Sequence, residues 1–235
     1  MNDSAVQIRV DRLRGAVLFD LDGTLADTDP LHARSWQLAA ERLSRITFTW
    51  DEYRRACVEG DSTPAEFIAT LNPRVPVETI ATEKARLFRE MVKGGLLLRS
   101  GAADLVTALD RAQVPTAVVS GGSARSVETI VDVLWPTERR PLVISRERTV
   151  LQKPHPEPYL LAVSLLNRSA EHCVAFEDTD KGIASAQNAG LRTVRITADR
   201  PPRSGGISIC ALDAFRVDLD DSCVLLTIDQ SRSCG

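Results

Sequence analysis

Val17-Leu18-Phe19-Asp20-Leu21-Asp22-Gly23-Thr24-Leu25 is an apolar run that ends on two carboxylates and a glycine. It reads as a short strand with Asp20 and Asp22 at its carboxyl end, where open α/β sheets bind their ligands. Two aspartates this close repel each other unless a cation lies between them, so the pair points to a hard metal such as Mg²⁺. Apolar strands ending in Asp and Gly are also ordinary turn chemistry, and the run acquires its meaning from the strands further along the chain.

Five runs read as strands: 15–20, 116–120, 141–145, 173–177 and 192–196. Helical periodicity fills the gaps between the later ones. Leu105, Ala108, Leu109 and Ala112 share one face, as do Val127, Ile130, Val131 and Leu134. Strands alternating with helices predict a parallel sheet with helices on both faces. The stretch from Asp29 to about Leu97 breaks the alternation, with helices and no convincing strand. The expected organisation is core over 1–28, a helical cap over 29–97 and the rest of the core over 98–235. Thr63-Pro64-Ala65-Glu66 is a capping box, and Trp36 and Trp50 are expected in the core of the cap. An all-helical insert after the first acidic strand suits a lid that excludes water.

The net charge of −3 over 235 residues gives no general attraction to nucleic acid or anionic membranes. The apolar runs are far shorter than a membrane span, and no signal core opens the chain. Five cysteines in no metal-like spacing read as free thiols in a reducing compartment. The expectation is a cytoplasmic protein without nucleic-acid or membrane partners.

Each later strand also ends on chemistry. Ser120-Gly121-Gly122 offers a hydroxyl and backbone N–H groups suited to phosphate oxygens, although it is also common turn sequence. Lys153 lies in the proline-rich loop Gln152-Lys153-Pro154-His155-Pro156-Glu157-Pro158, and Phe176-Glu177-Asp178-Thr179 is a second acidic cluster. Singly, a solvated lysine and a helix cap explain the last two as well.

Together, Asp20-Leu21-Asp22-Gly23-Thr24, Ser120, Lys153 and Glu177-Asp178 resemble the four ordered motifs of the haloacid dehalogenase superfamily, from about Gly15 to Ile196. The resemblance is closest to its helical-cap subgroup of β-phosphoglucomutases and sugar-phosphate phosphatases. It implies a Rossmann-like three-layer parallel-sheet core with an inserted all-helical cap. It also implies a Mg²⁺-dependent phosphatase acting on a small phosphorylated substrate through an aspartyl-phosphate. Asp20 would be the nucleophile and Asp22 the acid and base. Ser120 and Gly121 would hold phosphoryl oxygens, and Lys153 would stabilise their charge. The metal would be held by Asp20, the Asp22 carbonyl and Asp178, with Glu177 close by.

Dehalogenases and phosphonatases of the family lack a carboxylate at the position of Asp22, which sets both aside. Family mutases carry an arginine after the first glycine of the cap, where this chain has Glu59-Gly60-Asp61-Ser62. A phosphosugar mutase is therefore the alternative reading. Gly60, His32 and Lys84 are candidate substrate contacts in the cap; a solvated helix face fits Lys84 as well, and simple packing fits His32. A catalytically silent binding protein would have lost Asp20, Asp22, Lys153 or Asp178, and all four are present.

Overall fold

The computed structural model describes residues 6–55, 63–135, 139–197, 207–209, 212, 215–219 and 223–228. The chain divides into two compact units, Thr28–Leu96 and the remainder.

The larger unit is built on a six-stranded sheet. Its strands are β2 (Val17–Phe19), β3 (Thr116–Val119), β4 (Leu142–Ile144), β5 (Val174–Glu177), β6 (Arg192–Ile196) and β7 (Ile207–Ile209), in the order β4-β3-β2-β5-β6-β7. All neighbours pair in parallel, which gives the Rossmann-like α/β core expected from the sequence. Every residue of β2 and β5 is buried, because helices cover both faces of a parallel sheet. The helices are α5 (Ala102–Arg111), α6 (Ala124–Leu134), α7 (Glu157–Leu165) and α8 (Asp180–Asn188). The Thr179 hydroxyl accepts from the Gly182 N–H at 3.0 Å to start α8. Just beyond its end, Gly190 turns at φ +85°, a conformation open to a residue without Cβ.

Three strands were not anticipated. β1 (Val6–Asp11), β8 (Phe215–Leu219) and β9 (Cys223–Ile228) form an antiparallel sheet in the order β1-β9-β8. Phe215 packs edge-on against Phe176 of β5, with ring centroids 5.1 Å apart. Cys173 and Cys223 are buried, and burial pushes the Cys173 thiol up to about 11, so it behaves as core.

The smaller unit is helical: α1 (Asp29–Ser44), α2 (Trp50–Arg54), α3 (Pro64–Leu71) and α4 (Val77–Gly94). Thr63 and Glu66 form the predicted capping box, and Thr49 and Glu52 form another at the start of α2. Ala33, Ala40, Phe48, Ile68 and Ile80 make the core of this unit. Trp50 departs from expectation. It is 47% exposed and lies beside Tyr53, because the Thr49–Glu52 box fixes the helix start and leaves its first residue on the surface. Among the described residues no helix is long and apolar enough to cross a membrane.

Candidate active site

Sheet register brings the acidic strands together. Phe19 pairs with both Val118 and Phe176, so Asp20 and Glu177 emerge level with Val119, and Ser120 follows one residue later, all at the carboxyl ends of adjacent strands. The Asp20 N–H donates to the Phe176 carbonyl at 2.9 Å, and the Ser120 N–H donates to that of Ile144 at 2.9 Å. After Asp22 the chain turns at Gly23 with φ +83°. A Cβ there would also lie 2.2 Å from Asp178 Oδ2, so glycine meets both the backbone and the space requirement.

Lys153 sits at the centre. Its Nζ donates to Asp20 Oδ1 at 2.7 Å, Glu177 Oε1 at 2.5 Å and the Val119 carbonyl at 2.8 Å. An ammonium has three N–H donors, and all three are used. The loop that carries Lys153 is held by Glu157, whose two oxygens accept the N–H groups of Val150 and Leu151 at 2.9 Å each. Glu177 is fully buried, and its Oε1 also accepts the Tyr159 hydroxyl at 2.7 Å.

Burial pushes the Asp20 carboxyl well above its ordinary value; Lys153 opposes that rise, and Glu177, Asp178 and Asp22 reinforce it. Burial alone would lower Lys153, but the Asp20 and Glu177 carboxylates outweigh it and hold the ammonium above its ordinary value. One ammonium thus faces a cluster of acids. Ligand oxygens of Asp20, Glu177 and Asp178 lie within 4.8 Å of one another, an all-oxygen set that fits a hard divalent cation. This excess of acids over cations gives the set the charge to hold a cation.

The raised Asp20 carboxyl makes metal-free stability depend on pH. A carboxyl raised in the folded state binds its proton more tightly there than in the unfolded chain. Asp20 therefore costs stability as pH rises from the ordinary carboxylate range through its raised value. Urea midpoints in chelator should fall with pH in wild type relative to Asp20→Asn over that window. Parallel profiles for the two proteins would contradict this.

Asp22 and Ser120 form the other half of the site. The Ser120 hydroxyl lies 3.3 Å from Asp22 Oδ2 and accepts the Gly122 N–H at 2.9 Å. A Cβ on Gly121 would meet nothing within 4 Å, so the space beside that residue is open. His32 and Lys84 meet within the helical unit: Lys84 Nζ lies 2.6 Å from His32 Nδ1, and the His32 ring stacks on Phe88 at 4.2 Å. Lys84 also lies over the Trp36 ring, 5.3 Å from its centroid. Gly60 lies outside the described residues.

Three supporting residues are silent in the sequence. Tyr159 reads as one more apolar position on α7, yet its hydroxyl holds Glu177. Glu157 reads as an exposed acid, yet it fixes the lysine loop. Arg99 Nε donates to the Gly23 carbonyl at 2.9 Å, while its own N–H donates to the Leu25 carbonyl, so it holds the turn that carries Asp22. Tyr159→Phe removes one of two donors to Glu177 Oε1. It should cost about 1–2 kcal/mol in urea unfolding, whereas a change within about 0.3 kcal/mol would mean that the hydroxyl does not hold Glu177.

A parallel α/β sheet with an acid–lysine cluster at the carboxyl ends of its strands places the chain among α/β proteins whose ligand chemistry sits at that edge. Residues 15–190 match the model of the haloacid dehalogenase-like hydrolases, and the chain belongs to that family. It is 32% identical over 190 residues to protein CbbY of Cereibacter sphaeroides, a match that covers 76% of this chain and 82% of that protein. Fructose-1-phosphate phosphatase YqaB of Escherichia coli is 28% identical, over 77% of this chain and 95% of its own length. The crystal structure of CbbY from Rhodobacter sphaeroides in complex with phosphate superimposes with a TM-score of 0.73 at 27% identity, covering 85% of this chain and 95% of that one.

Proposed function

We propose that the protein is a Mg²⁺-dependent phosphatase that hydrolyses a small phosphomonoester, a sugar phosphate, through an aspartyl-phosphate on Asp20. The carrying observation is the convergence of Asp20, Lys153, Glu177 and Asp178 beside the Asp22–Ser120 pair. Similarity to a fructose-1-phosphate phosphatase supports the sugar-phosphate class. We further assign the protein to the cytoplasm as a monomer, with the helical unit as its lid.

In this reading an Asp20 carboxylate oxygen attacks phosphorus while Asp22 gives its proton to the departing alkoxide. Asp22, now ionised, takes a proton from water. That water attacks the aspartyl-phosphate at phosphorus, releasing phosphate and restoring Asp20. The Ser120 hydroxyl and the Gly121 N–H hold phosphoryl oxygens, and Lys153 offsets the charge that develops on them. Asp20, the Asp22 carbonyl and Asp178 would hold Mg²⁺, which neutralises carboxylate–phosphate repulsion and polarises the phosphoryl group. Glu177 keeps Lys153 in place from behind. His32, Lys84 and Gly60 are assigned to the sugar.

The test is phosphate release from a panel of hexose and pentose phosphates with and without Mg²⁺. Cation-dependent release from several of them is expected. Conversion of β-glucose 1-phosphate to glucose 6-phosphate on addition of a bisphosphate primer, without net release, would establish the mutase instead. Cation binding should itself be visible: at about a hundred times its Kd, a ligand of the folded state adds about 2.7 kcal/mol. An unfolding midpoint unmoved by millimolar Mg²⁺ would contradict the metal assignment.

A further inference from the structure

Next to Ser120, Gly121 and Lys153 the larger unit has a cavity of about 190 Å³, whose wall includes Arg146, Thr149 and Gln152. Among the described residues no carboxylate lines it. Two cations do, and their circumstances differ. Lys153 is neutralised by Asp20 and Glu177. The Arg146 side chain makes no hydrogen bond or ion pair with any described residue.

The turn that carries Arg146 explains its direction. Arg146-Glu147-Arg148 is a single 3₁₀ turn, whose threefold repeat sends successive side chains to different sides. Glu147 accepts the Ala124 N–H at 2.9 Å, and Arg148 Nη1 donates to the Val143 carbonyl at 3.1 Å. Arg146 is the member of the turn that lines the cavity. Its backbone is fixed at both ends. The Arg146 N–H donates to the Gly122 carbonyl at 3.0 Å, and Gln152 Nε2 donates to the Arg146 carbonyl at 3.1 Å. The backbone of Arg146 is therefore tethered to the turn that carries Ser120 and Gly121, and its exposed side chain extends from that fixed point.

We propose that Arg146 is a second anion anchor, so that the preferred substrates are phosphorylated carbohydrates carrying another anionic group, a carboxylate or a second phosphate. This rests on the phosphatase reading above and narrows its substrate class. A planar guanidinium grips either group through two parallel N–H···O bonds. An anion here also supplies the bonded counter-charge that Arg146 lacks among the described residues.

The experiment compares kcat/KM of wild type, Arg146→Gln and Arg146→Lys on a hexose bisphosphate, an aldonic acid phosphate, a hexose monophosphate and an aryl phosphate. Wild type should favour at least one doubly anionic substrate over the hexose monophosphate. In Arg146→Gln that preference should fall about ten- to a hundredfold, through KM rather than kcat, with partial recovery in Arg146→Lys. Loss confined to the bisphosphate assigns a phosphate to Arg146, and loss confined to the aldonic acid phosphate assigns a carboxylate. A preference that is absent in wild type, or equal in wild type and Arg146→Gln, overturns the anchor while aryl phosphate hydrolysis persists. No aryl phosphate hydrolysis by wild type would overturn the phosphatase reading itself, and the anchor with it.

Discussion

Lys153→Met is expected to remove most activity and to destabilise the metal-free protein by about 3–5 kcal/mol, the range for breaking a buried ion pair from one side. The methionine keeps much of the length of the side chain, so little packing is lost. What it removes is the cation bonded to both Asp20 and Glu177, together with the donor to the Val119 carbonyl. Glu177 is fully buried and would keep only the Tyr159 hydroxyl and the more distant Thr179 hydroxyl as donors among the described residues. Loss of charge stabilisation at the phosphoryl group should lower kcat by about 10²–10³-fold. Urea unfolding in chelator and steady-state kinetics read the two effects separately. Stability within about 1 kcal/mol of wild type would show that Lys153 is not what holds the buried acids together.

Gly182→Ala sets two known effects against each other. Gly182 lies inside α8, where alanine is favoured over glycine by about 1 kcal/mol. A Cβ there, however, would lie 1.9 Å from Glu177 Oε2 and 2.0 Å from the carboxyl carbon. Glu177 has no room to withdraw, because Lys153 and Tyr159 hold its other oxygen. Overpacking costs about 1–3 kcal/mol, and displacing a buried, paired carboxylate adds to that. The expected net loss is about 2 kcal/mol or more, with kcat falling as Lys153 loses its anchor. Gly94→Ala is the control. A Cβ at Gly94 meets nothing within 4 Å, and it also lies in a helix, so that change should be neutral or slightly stabilising. A stabilised Gly182→Ala protein would mean that Glu177 is free to move and does not position Lys153.

Much of the fold is readable in the sequence because its signals are local. The five strands predicted from apolar runs all occur, with at most a few residues trimmed from their ends, and β7 adds a sixth to the same sheet. The antiparallel β1-β9-β8 sheet is not readable in this way, for two reasons. Val6-Gln7-Ile8-Arg9-Val10 does alternate with period two, but its pairing partner β9 lies about two hundred residues away. β9 itself comes after a stretch rich in Pro, Gly and Ser that reads as a tail.

The candidate site divides in the same way. Asp20, Asp22, Ser120, Glu177 and Asp178 each stand at or just past a strand end, and Lys153 stands in a proline-stiffened loop, where motif and spacing point to them. That the Lys153 ammonium is fully satisfied, or that the Tyr159 hydroxyl reaches Glu177, depends on side-chain direction in three dimensions. Periodicity along α7 shows an apolar residue at Tyr159 and nothing more. Arg146 shares that limit, since Arg-Glu-Arg reads as solvated surface until the 3₁₀ turn separates the three side chains.

The most direct test of the central claim is phosphate release from an aryl phosphate by wild type and Asp20→Asn, with and without Mg²⁺, both proteins first shown to be folded by circular dichroism. Saturable release by wild type that disappears without the cation and in Asp20→Asn is the predicted result. Release by Asp20→Asn at the wild-type rate would contradict it, because the phosphoryl group would then never have passed through Asp20.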